Sequence, residues 1–176
     1  MPNYRRAFVP GGTWFFTATL LDRRSHLLVD RIETLRAATR WTIERHPFGI
    51  DAFVVLPDHI HAIWTLPVGE ADFSLRWRLI KQRFSRSIPR VEPLSPARRT
   101  RGERGIWQRR FWEHLIRDDA DYRRHVEYCY VNPLKHGLVR RVCDWPYSSF
   151  HRDVARRQVP EDWAGEIDRE GEFGER

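Results

Sequence analysis

Apolar and polar positions along this chain of 176 residues alternate with two periods, and the segments they mark predict its elements. Residues 13–24, TWFFTATLLDRR, are rich in threonine and aromatics behind Gly11-Gly12, which predicts a strand. Residues 30–45 carry Ile32, Leu35, Ala38 and Ile43 at helical spacing, with Asp30 as N-cap and Pro47 and Gly49 as the stop. The runs 50–57 and 59–67 are β-like, meet at Pro57-Asp58, and predict adjacent antiparallel strands. Residues 72–87 form a basic amphipathic helix with Phe73, Trp77, Ile80 and Phe84 on one stripe. The arginine- and proline-rich stretch 88–105 reads as a mobile loop. Residues 106–116 resume as extended chain, and 117–133 as a helix started by Asp118 or Asp119 and closed near Pro133. Beyond that helix, LKHGLV, DWPYSSFHRDV and PEDWAG read as packed irregular structure. The order β-α-β-β-α-β-α predicts an α+β fold, with helices packed on a mostly antiparallel sheet. Residues 1–160 are expected to form one domain and 161–176 an acidic, mobile tail.

Charge changes the picture. The chain carries 31 basic and 24 acidic residues, a net charge of +7, which points to an acidic partner and above all to nucleic acid. Only Lys81 and Lys135 are lysines. Arginine suits bidentate phosphate contacts, although a GC-rich coding sequence favours it too, so its placement says more than its number. Residues 74–117 hold a net of +10, and 161–176 a net of −5. Trp77, Phe84, Trp107, Phe111 and Trp112 interleave with the arginines of the basic stretch, the pattern of a surface that grips a phosphate backbone and stacks on bases. The acidic tail is expected to lie against that basic surface. No run of about 18 apolar residues is present, so no membrane span or membrane partner is expected, and the N-terminus lacks a signal-peptide block, which predicts a cytoplasmic protein. Cys129 and Cys143 form no CxxC pair and read as ordinary reduced thiols.

Candidate chemistry begins at VLPDHIHAIW, residues 55–64. In a strand His59 and His61 project from one face, so two imidazoles lie near one point and offer lone pairs to a divalent cation. Alone, His-x-His more often marks polar sheet residues meeting solvent. A second constellation is Tyr128 and Asn132, four apart; if the helix reaches Asn132, both share a face as nucleophile and third metal ligand. Tyr122 and Tyr130 read as buried hydrogen-bonded tyrosines. His114, His125 and His136 read as surface or helix-end histidines.

Here the chain resembles a known family: the single-tyrosine HUH transposases, specifically the REP-associated tyrosine transposases of bacteria. The matching stretches are YRRAFVPGGTWFFT (4–17), VVLPDHIHAIWTLP (54–67), IWQRRFWEHLIRDDADY (106–122), YCYVNPLKHGLV (128–139) and DWPYSSFHRDV (144–154). The resemblance implies a ferredoxin-like, HUH-type sheet. It implies that His59 and His61 hold Mg²⁺ or Mn²⁺, that Tyr128 is the nucleophile, and that Asn132 stands where related transposases carry a metal-binding glutamine. The implied activity is cleavage and joining of single-stranded DNA at REP hairpins through a 5′-phosphotyrosine, by a monomer rather than a dimer. Arg76, Arg78, Lys81, Arg83, Arg86, Arg109 and Arg110 are the expected DNA contacts. Two rivals remain at this point: a metal-dependent hydrolytic nuclease, and a non-catalytic sequence-specific DNA-binding protein. A structural zinc module would want cysteine pairs that are absent.

Overall fold

The computed structural model describes residues 8–90, Pro96, Thr100 and 104–164. The C-terminal residues 165–176, and with them most of the expected acidic tail, lie outside the described residues, as does most of the arginine- and proline-rich stretch.

Strand β1 (Thr13–Thr19) is followed by a single turn, α1 (Leu27–Asp30), and by α2 (Ile32–Arg45). Strands β2 (Gly49–Val55) and β3 (His59–Thr65) lead to α3 (Phe73–Arg86). Then come the short β4 (Trp112–Leu115), the long α4 (Asp119–Lys135), a 3₁₀ turn at Val142–Asp144 and α5 (Phe150–Ala155). The strands form one sheet in the order β2-β3-β1-β4, and every pairing is antiparallel. The predicted α+β class and the ferredoxin-like strand arrangement are both present.

Strand alternation divides the core in two. On one face Trp14, Phe16 and Ala18 of β1 join Ile60, Ala62 and Trp64 of β3 beneath α2 and α3. There Trp64 stacks on Trp77 at 4.4 Å between ring centroids, and Phe48 packs on Trp64 at 4.3 Å. On the other face Phe15 of β1, Ile63 of β3 and Ala52 and Val54 of β2 lie against Tyr128, Cys129 and Val131 of α4. Since both faces are covered by helices, β1 and β3 are almost wholly buried, and a polar residue on either must have a partner.

Several boundaries differ from the sequence expectation. Asp30 is not the N-cap of α2; it ends α1, and the break falls at Arg31, with φ −119° and ψ 32°. Leu28 is fully buried and draws this preceding turn into the core, a contact outside the helical window that starts at Asp30. Helix α4 does not close at Pro133 but runs through it to Lys135. Proline forfeits one backbone bond there, and the burial of the whole run Tyr128–Pro133 offsets that loss. The helix ends at Gly137, whose φ of +68° places it in the left-handed region, and the Leu138 amide bonds the Pro133 carbonyl at 2.9 Å. Capping by Asp118 agrees with expectation: its carboxylate accepts from the Asp121 amide at 2.8 Å. The stretch 144–154 is less irregular than expected, since it contains most of α5.

The basic helix α3 has the expected stripe, but the stripe also claims residues assigned to DNA. Trp77 and Phe84 are fully buried and cannot stack on bases. Arg76 is only 1% exposed. Its guanidinium donates to the carbonyls of Asp72 (3.0 Å) and Pro47 (2.8 Å) and to the Glu70 carboxylate, tying α3 to the end of α2. It lies one turn before Ile80, on the buried side of the helix, so it is a structural tie rather than a phosphate contact. Replacing it removes these three ties and the packing of a side chain that is itself buried. Arg76→Ala is therefore expected to lower stability by about 1–3 kcal/mol, read from urea denaturation.

Candidate active site

His59 and His61 lie on the sheet face that α4 covers, and both are buried. Register accounts for their orientation. Thr17 of β1 is the cross-strand partner of His61, and its hydroxyl lies 3.0 Å from His61 Nδ1. His59 Nδ1 donates to the Asp58 carboxylate at 2.7 Å, and Arg23 braces that carboxylate from the other side at 2.8 Å. Burial drives the Asp58 carboxyl upward, but the His59 bond and the nearby Arg23 charge outweigh it and hold the group below its ordinary value. Asp58 therefore stays an acceptor. With the proton of His59 fixed on Nδ1, its Nε2 carries the lone pair. The two imidazole rings stand edge to face, 4.8 Å apart.

Helix α4 lays one face over this pair. The Tyr128 ring is 5.1 Å from the His61 ring, and Phe15 wedges against both, at 6.0 and 5.7 Å. Two turns further on, the His136 ring is 5.2 Å from the His59 ring. Asn132 occupies the turn between Tyr128 and His136 on the same face and is fully buried. Lys135 completes this face: its ammonium lies 3.4 Å from the Tyr128 hydroxyl and 4.9 Å from its ring. The structure thus gathers His59, His61, Tyr128 and Asn132 at one place. Asp58, Thr17, Lys135 and His136 join them unforeseen. His136 is the exposed helix-end histidine that the sequence led one to expect, and its ring also meets His59; the signal for that contact is its spacing, eight residues beyond Tyr128.

The donor set suits a divalent cation. His59 Nε2 is buried and meets no hydrogen-bond partner among the described residues. Asn132 brings a buried amide to the same helix face as Tyr128. An orphaned imidazole nitrogen on a covered sheet face is costly unless something ligates it, so these residues fit a metal.

Of the two tyrosines expected to be buried and hydrogen-bonded, Tyr130 agrees, whereas Tyr122 is half-buried. Burial and a hydrogen bond to the Asp153 carboxylate raise the Tyr130 phenol above its ordinary value. Burial also raises Tyr122. Neither is placed for attack.

A second cluster corrects the assignment of two histidines to the surface. His114 of β4 and His125 of α4 stack at 4.6 Å on either side of one carboxylate, Asp121. His125 is buried, and His114 is half-buried. Among the described residues this trio is the one group of three His, Cys, Asp or Glu whose ligand atoms lie within 4.8 Å of one another and could hold a metal ion.

The basic residues fall on and beside α3. Arg78, Lys81, Arg86, Arg90, Arg104 and Arg109 line a groove of about 650 Å³ between α3 and residues 104–109. Lys81 sits 5.3 Å from the Trp107 ring and 5.4 Å from Phe111. Arg83 lies outside this groove, stacked on Trp41 of α2 at 4.4 Å. Arg110 is exposed beside it. The groove opens at the same end of the sheet as the histidines: the Gln108 amide bonds the Thr19 carbonyl at 2.9 Å, and Thr19 is the strand partner of His59.

The chain is 52% identical over 167 residues to the REP-associated tyrosine transposase of Escherichia coli strain K12, covering 95% of this chain and 93% of that protein. The chain belongs to the REP-associated tyrosine transposase family. A putative REP-associated tyrosine transposase of Haemophilus influenzae is 48% identical over 169 residues, covering 96% of each chain. Among solved structures, that of a REP-associated tyrosine transposase bound to a REP hairpin matches with a TM-score of 0.87 at 50% identity, covering 100% of this chain and 98% of that one. No family model matches. Kinship with transposases makes this protein an enzyme, and the hairpin-bound relative confirms the α+β sheet architecture. Among the described residues no helix is long and apolar enough to cross a membrane.

Asp121 connects β4 to the start of α4. Burial would raise its carboxyl, but hydrogen bonds from His114, Arg124 and the Arg117 amide hold it far below the ordinary carboxylate range. A depressed folded pKa contributes stability at neutral pH that is lost as pH falls below the unfolded value, about 4. In EDTA, Asp121→Asn is expected to be clearly less stable than wild type at pH 7. Urea midpoints measured at pH 7 and pH 3 should show that gap narrowing in acid.

Proposed function

We propose that this protein is a metal-dependent endonuclease and strand transferase for single-stranded DNA, acting on REP-type hairpins through a covalent 5′-phosphotyrosine at Tyr128. The observation that carries this reading is the phenol of Tyr128 held against His61, beside a second imidazole whose Nε2 has no hydrogen-bond partner among the described residues.

His59, His61 and Asn132 are the residues that would hold Mg²⁺ or Mn²⁺. Such an ion, when bound, supplies Lewis-acid stabilisation of charge on a scissile phosphate. The protein does the rest. Tyr128 gives its phenol proton to water and attacks phosphorus, and its oxygen bonds to the 5′ phosphate. The bond to the 3′ oxygen breaks, and that oxygen leaves as a hydroxyl after taking a proton from water. Lys135 offsets negative charge on the phenolic oxygen. Attack by a 3′-hydroxyl on the same phosphorus reverses the step and rejoins strands without an external energy source. The monomer is the working unit in this reading, because every side chain of the site comes from one chain.

Arg78, Lys81, Arg86 and Arg109 of the groove, with Arg110 beside it, grip the hairpin backbone, and the half-buried Trp107 and Phe111 offer ring surface to unpaired bases. Arg83, engaged with Trp41, is the weaker contact of the set. The REP hairpin bound by the 50% identical relative supports DNA as the partner.

The deciding experiment is incubation with a labelled single-stranded oligonucleotide carrying a REP hairpin and its flanks in Mn²⁺, followed by a denaturing gel. Wild type is expected to give protein covalently shifted by DNA. EDTA, His59→Ala and Tyr128→Phe should each abolish the shift. Cleavage that survives in Tyr128→Phe would identify a hydrolytic nuclease, and hairpin binding with no cleavage by wild type would identify a DNA-binding protein without catalysis.

Groove contacts are tested separately. Arg78→Ala and Arg86→Ala should each weaken hairpin binding and lower the slope of log affinity against log salt by about 1. Fluorescence anisotropy at several salt concentrations reads both.

A further inference from the structure

The His114–Asp121–His125 cluster has no part in the reaction above, and its geometry is that of a ligand set. Two elements converge there: the short edge strand β4 brings His114, and α4 brings Asp121 from its first turn and His125 one turn later. His114 Nε2 lies 2.8 Å from one carboxylate oxygen of Asp121, and His125 Nδ1 lies 3.1 Å from the other. The two imidazoles are nearly parallel, at 14°, so both ring edges face the same carboxylate.

We propose that His114, Asp121 and His125 form a second divalent-metal site, distinct from the His59–His61 site and selective for a borderline cation of the Zn²⁺ kind. Two imidazoles and one carboxylate are the donors such cations prefer, whereas Mg²⁺ prefers oxygen ligands. Three protein ligands leave a fourth position for water. The surroundings favour a neutral His125 ready to bind: burial lowers the proton affinity of its ring, which also packs on Phe15 at 4.9 Å.

Groups around the site are compatible with an added charge. The Arg124 guanidinium pairs with Asp121 at 2.7 Å, but its side chain is 56% exposed and swings into solvent without burying its charge. The Arg117 amide, 3.1 Å from the carboxylate, stays as an outer support for the ligating oxygen. His125 Nδ1 also bonds the Asp121 carbonyl at 2.8 Å, a contact that a cation at this nitrogen replaces. A cation at His125 Nδ1 shifts that ring's proton to Nε2, and binding couples to folding because it joins β4 to the helix that carries Tyr128.

The test uses the full-length His59→Ala/His61→Ala double variant, in which the first site is disabled, and Co²⁺ as a spectroscopic stand-in. That variant is expected to bind one equivalent of Co²⁺ with the visible d–d bands of a four- or five-coordinate ion, to exchange it for Zn²⁺, and to melt at a higher temperature with Zn²⁺ than with EDTA. Adding His114→Gln, at the half-exposed rim, should weaken Zn²⁺ binding at least about tenfold, and adding His125→Gln should abolish the bands. If His125→Gln fails to fold, the His114→Gln titration decides. A double variant that takes up no Co²⁺ would show the cluster to be a hydrogen-bonded latch only. Uptake that persists undiminished after His114→Gln would show an adventitious ion only. Either result overturns the proposal.

Discussion

The alternation of side chains along β3 sets everything else in this molecule. Even-numbered residues Ile60, Ala62 and Trp64 face α2 and α3, and odd-numbered His59, His61 and Ile63 face α4. Because β3 is an interior strand, with β1 and β2 on its flanks, both faces are covered and neither histidine can be satisfied by bulk water. Thr17 and Asp58 each engage one Nδ1, fixing the rings while leaving the opposite nitrogens toward the helix. A register slip of one residue would send both imidazoles into the tryptophan-rich core under α3. The antiparallel pairing of Thr17 with His61 and Thr19 with His59 is thus as much a part of the site as the histidines themselves.

Much of this was legible in the sequence because it depends on local period. The β-like runs on either side of Pro57-Asp58, the stripe of α3 and the cap at Asp118 are short-range patterns. They gave the element order, and with it the fold class. The Tyr128–Asn132 spacing was legible as well, except that Pro133 argued for an earlier helix end. That local penalty lost to burial of the surrounding turn. What stayed hidden depends on tertiary partners. Nothing in the arginine pattern separates Arg76, which points inward to the Pro47 and Asp72 carbonyls, from Arg78 two residues later on the solvent side. Asp58 looked like a turn residue, and only the fold shows that its carboxylate orients His59. Asp121 and His125 are neighbours through helical spacing, but His114 joins them only when β4 pairs at the sheet edge.

Charge is divided by element in the same way. Basic side chains line the outer side of α3 and the segment beyond it, on the sheet face away from α4, while the gathered histidines, phenol and amide occupy the opposite face. The two meet at one end of the sheet, where the backbone of Gln108 bonds that of Thr19. In the proposed function, a nucleic acid gripped in the groove passes around one edge of the sheet to bring a phosphate to Tyr128. Holding and cutting are then separated, and the strand ends set the distance between them.

The uninterrupted passage of α4 through Pro133 has a further result. Tyr128, Asn132 and His136 ride on a single rod with no hinge between them, so no local flip can retract the phenol and leave the amide behind. Whatever lifts the attacking group away from the histidines lifts its neighbours too, and the apparatus disengages as one body. In the proposed reaction, then, it falls to the flexible polynucleotide to change places between scission and resealing, since the phenol and amide move only together.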